Sequence, residues 1–159
     1  HEDAYLWNDI TGTGYDSPQS YWDACYNAIA AANQALQAIE DLGNPANLQP
    51  QKGEALLCRA YGHFALANVF CLAYNPETAS TVMGIPYSES PETQVAPEYT
   101  RGTLEDLYAK INADIEEGLP LIDDAIYSVP KYHFNKKAAY AFATRFNLYY
   151  QKRFLFIRE

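Results

Sequence analysis

Positive charge is scarce in this 159-residue chain: 11 Lys and Arg stand against 20 Asp and Glu, a formal net charge of −9. Nucleic-acid binding needs a concentrated basic footprint to displace counterions, and Lys136–Lys137 and Lys152–Arg153 are too short to supply one. Cysteine is scarce as well. Cys25, Cys58 and Cys71 are an odd number that cannot close fully into disulfides, and they form no CxxC or Cys/His ligand spacing. Zinc is therefore not expected, nor any other cofactor, and the three read as buried free thiols.

The chain lacks the run of about 18 apolar residues that a spanning helix requires, and it opens with no signal sequence. His1 is not an initiator Met, so the chain reads as trimmed and the missing targeting signal says nothing about location. Histidine is scarce too: His1, His63 and His133 have no Ser or Cys partner at a recognisable spacing. Asp123–Asp124 and Glu116–Glu117 are neighbours in sequence and point different ways, whereas glycoside hydrolysis needs two carboxylates facing each other at about 5–10 Å. No enzyme is expected.

What is present is the material of a folded helical domain. Hydrophobic residues make up 48% of the chain and charged residues 19%, enough for one sizeable core. Aromatics are led by 14 Tyr against 2 Trp, a composition that suits helix packing and equally suits contact with sugar or peptide surfaces. The organising stretch is Gly53–Asn75, where two apolar rows run side by side: Leu57, Tyr61, Phe64, Ala65, Asn68 and Leu72, then Ala55, Cys58, Gly62, Leu66 and Val69. Apolar residues on well over half the circumference mark a central helix with neighbours on several sides. Gly62 costs roughly 1 kcal/mol relative to Ala in a helix interior, so a closely approaching neighbour is expected there. Arg59 lies among these apolar residues and needs a carboxylate or carbonyl partner.

Before this helix comes one starting with Ser17 as N-cap and Pro18 at its first position. Its stripe is Trp22, Cys25, Tyr26, Ile29, Ala32, Asn33, Leu36 and Ile39, and Gly43-Asn44-Pro45 ends it. Asn33 on that stripe is expected to hydrogen-bond within the core. The central helix starts near Pro50 and is expected to run to about Tyr74, before Asn75-Pro76. Residues 76–99 have no helical period and carry Pro76, Pro86, Pro91 and Pro97; a loop of this length is functional or covers another surface.

Thr103 and Asp106 form a capping-box start for a third helix with Leu107, Tyr108, Ile111, Ile115 and Leu119 as its stripe. The acidic group Asp114, Glu116 and Glu117 reads most simply as its solvated face, although Asp114, beside the stripe, could answer a buried Arg. Residues 121–134 read as loop. A fourth helix from about Asn135 carries Ala138, Ala139, Phe142, Ala143, Phe146 and Tyr150, with Arg145 echoing Arg59. Helix starts near 18 and 50, and near 103 and 136, lie about 32 and 33 residues apart, close to the roughly 34-residue hairpin of tetratricopeptide repeats. The expected fold is all-α, with antiparallel helical hairpins of tetratricopeptide-like type and long connecting loops. Within a single domain, 1–16 is irregular, 17–75 the first hairpin, 76–99 an insertion and 100–152 the second hairpin.

The irregular segment 1–16 sets Tyr5, Trp7 and Tyr15 beside Asn8, Asp9 and Asp16, with Gly12 and Gly14 as turn formers. Aromatic platforms next to short polar groups suit carbohydrate or peptide capture, and Trp7, Asn8, Tyr15 and Asp16 are the candidate ligand-binding residues. Tyr5 and Trp7 could equally anchor the chain end on the core.

EALLCRAYGHFALANVF (Glu54–Phe70) resembles the EA-x-x-x-RA-x-x-x-F-x-L helix of the SusD/RagB family of surface nutrient-binding lipoproteins. YNPETASTVMGIPY (Tyr74–Tyr87) resembles the extended stretch that follows it in that family. Arg101–Ile115, Asn135–Tyr150 and YWDACYNAIAAANQAL (Tyr21–Leu36) are similar to the family's other helices, in the family's order, and the likeness fades in QKRFLFIRE (Gln151–Glu159). The resemblance implies the N-terminal portion of a larger protein held at the bacterial outer-membrane surface by a lipid anchor outside this chain. It also implies capture of oligosaccharide or peptide for a SusC-like TonB-dependent transporter. Binding residues in that family vary with ligand, so none is carried over by motif. The alternative is a tetratricopeptide-like protein–protein scaffold with no direct ligand contact. The all-round apolar central helix further predicts that the isolated chain self-associates through an uncovered face.

Overall fold

The computed structural model describes residues 2–93 and 98–151. His1, Pro97, the Lys152–Arg153 pair and the tail beyond Gln151 lie outside the described residues. A short helix α1 (Glu2–Tyr5) precedes four long ones: α2 (Pro18–Asp41), α3 (Gln49–Phe70), α4 (Leu104–Gly118) and α5 (Lys136–Tyr150). No strand occurs among the described residues, and no helix of theirs is long and apolar enough to cross a membrane.

Local signals start the helices where the sequence places them. Ser17 Oγ accepts from Ser20 N, Thr103 and Asp106 close a capping box, and Asn135 Oδ1 accepts from Ala138 N. Gly43 takes the left-handed conformation (φ 80°) that ends α2. The end of α3 differs from expectation: it stops at Phe70, and Cys71 is already extended (ψ 164°). The chain turns out there because the Tyr74 ring is needed elsewhere, 4.7 Å from Tyr108 and 4.9 Å from Tyr150. Residues 121–134 are more regular than expected, with 3-10 turns at Asp124–Ile126 and Pro130–Tyr132. Asp123 and Asp124 serve this region as caps, accepting from Ala125 N and Lys136 N.

Helix α3 is the centre. Ten of its residues are buried, from Gly53 to Ala67, with α2 antiparallel on one side and α4 on the other. Trp22 meets Phe70 at one end of the α2/α3 pair, while Asn33 meets Arg59 further along. Helix α5 joins through rings rather than close backbones: Phe64 touches Phe142 and Phe146, and Tyr108 stacks on Phe146 at 5.6 Å. The row Tyr61, Asn68 and Leu72, counted as apolar helix face in the sequence, is exposed. Arg145 does not echo Arg59: it stands on the exposed side of α5, because this helix has no further layer over that face among the described residues.

Two helix crossings depend on missing side chains. A Cβ on Gly62 would lie 2.7 Å from Ile29 Cγ1, which explains why the chain accepts glycine there. At the α3/α4 crossing, Gly53 and Gly118 face each other, and a Cβ on Gly53 would lie 2.8 Å from Gly118 O and 2.8 Å from Leu121 Cβ. Gly53→Ala gains roughly 1 kcal/mol of helix propensity but forces two backbones apart. A net loss of about 1–2 kcal/mol is expected in urea unfolding, while Gly12→Ala, with open space around it, leaves the midpoint unchanged.

Residues 76–93 are strapped across the helices. Met83 forms an antiparallel bridge with Thr103, and Gly84 N donates to Gly102 O at 2.9 Å. Ala79 and Ile85 are buried. The long loop covers a helix surface, one of the two roles its length implied.

Candidate functional site

The most elaborate polar constellation lies under this strap. Arg59 on α3 makes a two-pronged pair with Asp114 on α4, Nε to Oδ2 at 2.7 Å and Nη2 to Oδ1 at 2.6 Å. Both side chains are about nine-tenths buried. Arg59 Nη1 also donates to Asn33 Oδ1 and to the Glu89 carbonyl, each at 3.1 Å, and Tyr87 OH donates to Asp114 Oδ2. Burial works against the guanidinium's charge, but the Asp114 carboxylate outweighs it and raises the Arg59 pKa further. Burial and the same carboxylate push the Tyr87 phenol well up, so it stays a donor.

His63 completes the set. It is fully buried and stacks on Tyr87 at 3.9 Å. Ser88 N donates to its Nε2 at 3.0 Å, so Nε2 carries no proton, and Nδ1–H donates to the Arg59 carbonyl at 2.9 Å. Desolvation drives its pKa down to about 3. Every member is occupied by another: Asn33 holds the Ser88 and Ser90 carbonyls, and Tyr26 OH holds the Pro86 carbonyl. This network clamps the strap to three helices and offers no open reacting atom. Among the described residues no group of three His, Cys, Asp or Glu is arranged to hold a metal ion.

Open surface chemistry lies at the N-terminal segment. Trp7 is 96% exposed and Tyr15 wholly exposed, so neither ring anchors the chain end. Trp7 also has φ 57°, an uncommon conformation for a bulky side chain and a form of strain that concentrates at functional positions. Asn8 Nδ2 reaches Asp3 Oδ1 at 3.5 Å, and Asp16 follows Tyr15 immediately before the Ser17 cap. The four candidates do not share one cavity. Between the two pairs, however, Ile10, Thr11, Gly12 and Thr13 form one wall of a hollow of about 340 Å³, closed by Pro18, Gln19, Trp22 and Phe70. Trp22 and Phe70 meet edge-on at 5.0 Å as its aromatic floor. Thr11, Thr13, Gln19 and Trp22, which line this hollow, were not among the candidates read from the sequence. Trp22 sits on the core stripe of α2, and periodicity alone does not reveal that its other edge stays open.

The model of the SusD-like family described as starch-binding, associating with outer membrane, matches residues 1–148. Three solved structures share the fold. A SusD superfamily protein from Bacteroides thetaiotaomicron aligns at TM-score 0.72 and 22% identity over 90% of this chain and 34% of its own. A Bacteroides vulgatus protein aligns at TM-score 0.76 and 22% identity over 94% of this chain and 32% of its own. A SusD-like carbohydrate binding protein, also from Bacteroides vulgatus, aligns at TM-score 0.69 and 24% identity over 82% of this chain and 28% of its own. This chain thus spans about a third of their length. The comparison with curated proteins returns no match.

Proposed function

We propose, from the premise that this chain belongs to the SusD-like family, that it binds oligosaccharide at the bacterial cell surface, for passage to a SusC-like outer-membrane transporter. The observation that supports the reading is the pair of rings, Trp7 and Tyr15, exposed to solvent in the same segment whose residues 10–13 wall an aromatic-floored hollow. Sugar rings present apolar C–H faces and a hydroxyl rim, and bind where flat aromatics meet short hydrogen-bonding groups. Trp7 and Tyr15 supply the platforms. Asn8, Asp16, Thr11, Thr13 and Gln19 supply donors and acceptors for hydroxyls. Lipid anchoring of the whole protein belongs to the same reading.

The test is a panel of neutral oligosaccharides and peptides applied to the chain and to a Trp7→Ala/Tyr15→Ala variant. Removing two stacking faces is expected to weaken oligosaccharide binding about tenfold or more, without changing thermal stability. Equal binding by both versions rejects this site. Binding of peptides alone rejects the ligand class. No binding by either leaves the scaffold reading, which the exposed Leu148 and Tyr149 of α5 favour as a docking or self-association face.

A further inference from the structure

A second hollow lies on the opposite flank of α3, and its chemistry differs. It measures about 560 Å³, within the range of small-ligand sites, and lies between α3, the 130–134 turn and α5. Ala138 and Ala141 leave the space open on the α5 side. Tyr61 (45% exposed) and Tyr132 (77% exposed) line it with partly open rings. Phe134 and Phe142 hold Tyr61 edge-on at 5.9 and 5.3 Å, so that platform is fixed.

Two cations converge on this space, Lys131 and Arg145, and neither has a carboxylate partner among the described residues. Lys131 Nζ sits 5.0 Å from the Tyr132 ring centroid, joining charge and platform. The one carboxylate lining the hollow, Glu54, is already engaged, accepting from His133 Nδ1 at 2.9 Å and Phe134 N at 3.1 Å. His133 is itself braced by Tyr127, stacked at 4.3 Å. On a chain of net charge −9, an aromatic hollow edged by two unpaired cations selects for an anion.

We propose that this hollow is a second binding site, for an acidic saccharide: a sugar ring bearing a carboxylate, as in a uronic acid. The ring lies on Tyr132 and Tyr61. Its carboxylate meets the planar guanidinium of Arg145, whose parallel N–H pair matches two carboxylate oxygens, with Lys131 adding charge. The saccharide part rests on the carbohydrate reading above; the demand for an anion rests on Lys131 and Arg145 alone.

Calorimetry on this chain with three probes separates the parts: a trigalacturonate, the neutral galactose trimer and a Glu tripeptide. The trigalacturonate is expected to bind, more weakly as salt rises, and to lose about tenfold in affinity in Arg145→Ala and in Tyr132→Ala. All three probes are also run in the Trp7→Ala/Tyr15→Ala background, which removes the platforms of the first hollow and leaves this site to be read alone. Arg145→Lys, which keeps charge and loses the fork, is expected to fall between. Failure of trigalacturonate to bind, equal binding of the neutral trimer, or indifference to Arg145→Ala overturns the proposal. Equal binding of the Glu tripeptide overturns its saccharide part. Loss of neutral-sugar binding elsewhere while trigalacturonate binding survives removes only the earlier reading.

Discussion

Asp114→Ala is expected to destabilise the fold by about 3–5 kcal/mol, the cost of leaving a buried charge without its partner. Domains of this size are stable by about 5–15 kcal/mol, so the loss removes roughly a fifth or more of the total. The substitution strands two groups at once. Arg59 keeps a guanidinium that is only 11% exposed, and Tyr87 OH loses its acceptor. Arg59 lies beneath the strap and Tyr87 belongs to it, so the damage is directional: Ser88 N–H should exchange with solvent faster, and protease should cut near 84–93 before the helices. Paired replacement, Arg59→Met with Asp114→Leu, removes the unpaired charge and is expected to recover part of the loss. Urea unfolding of the three versions decides it. A double variant no better than Asp114→Ala would mean that shape, rather than uncompensated charge, sets the cost.

Acid is expected to unfold this protein through His63. Its ordinary pKa is 6.5 and its folded one about 3, depressed first by desolvation and further by the nearby charges of Arg59 and Lys110. Above pH 6.5 the ring is neutral folded and unfolded, and costs nothing. Below that, the unfolded chain takes up a proton that the native ring refuses, so stability falls by a little over 1 kcal/mol per pH unit until pH approaches 3. The refusal has a structural cause. Nε2 is the acceptor for Ser88 N–H, and a proton there would set two donors against each other at 3.0 Å. Tyr87 and Tyr26 flank the ring and provide no anion. His63→Gln, whose amide oxygen can still accept from Ser88, is expected to abolish this slope between pH 6.5 and 4.5, before most carboxylates titrate. An unchanged slope in that variant would contradict the assignment.

Three of the four long helices were legible from their own punctuation: Ser17-Pro18, Thr103 with Asp106, and Asn135 fix starts by local hydrogen bonds, whereas α3 has no side-chain cap. The Arg59–Asp114 pair was legible only in part: a buried guanidinium demands a carboxylate, but Asp114 reads first, with Glu116 and Glu117, as solvated face, and it is buried because Arg59 meets it there. The strap was not. Its order comes from Tyr26, Asn33, Arg59 and His63, 25 to 60 residues away, gripping its backbone and side chains, and no local period records that. The end of α3 was misplaced for a related reason: Tyr74 leaves the helix to satisfy rings on α4 and α5. At the N-terminal segment the residue types were legible but not the hollow, which exists only because Phe70 returns beside Trp22 at the far end of the first hairpin.

Tryptophan makes the central claim directly measurable, because the chain has only two, Trp7 in solvent and Trp22 half-buried. In a Trp22→Phe variant, Trp7 is the sole tryptophan reporter. Titrating maltoheptaose while following its emission and its quenching by acrylamide asks whether a sugar stacks on that ring. A blue shift with falling quenching, saturating together with the heat of binding, is the predicted result. Heat of binding with Trp7 as accessible as before, or no binding at all, would contradict capture of oligosaccharide by this segment.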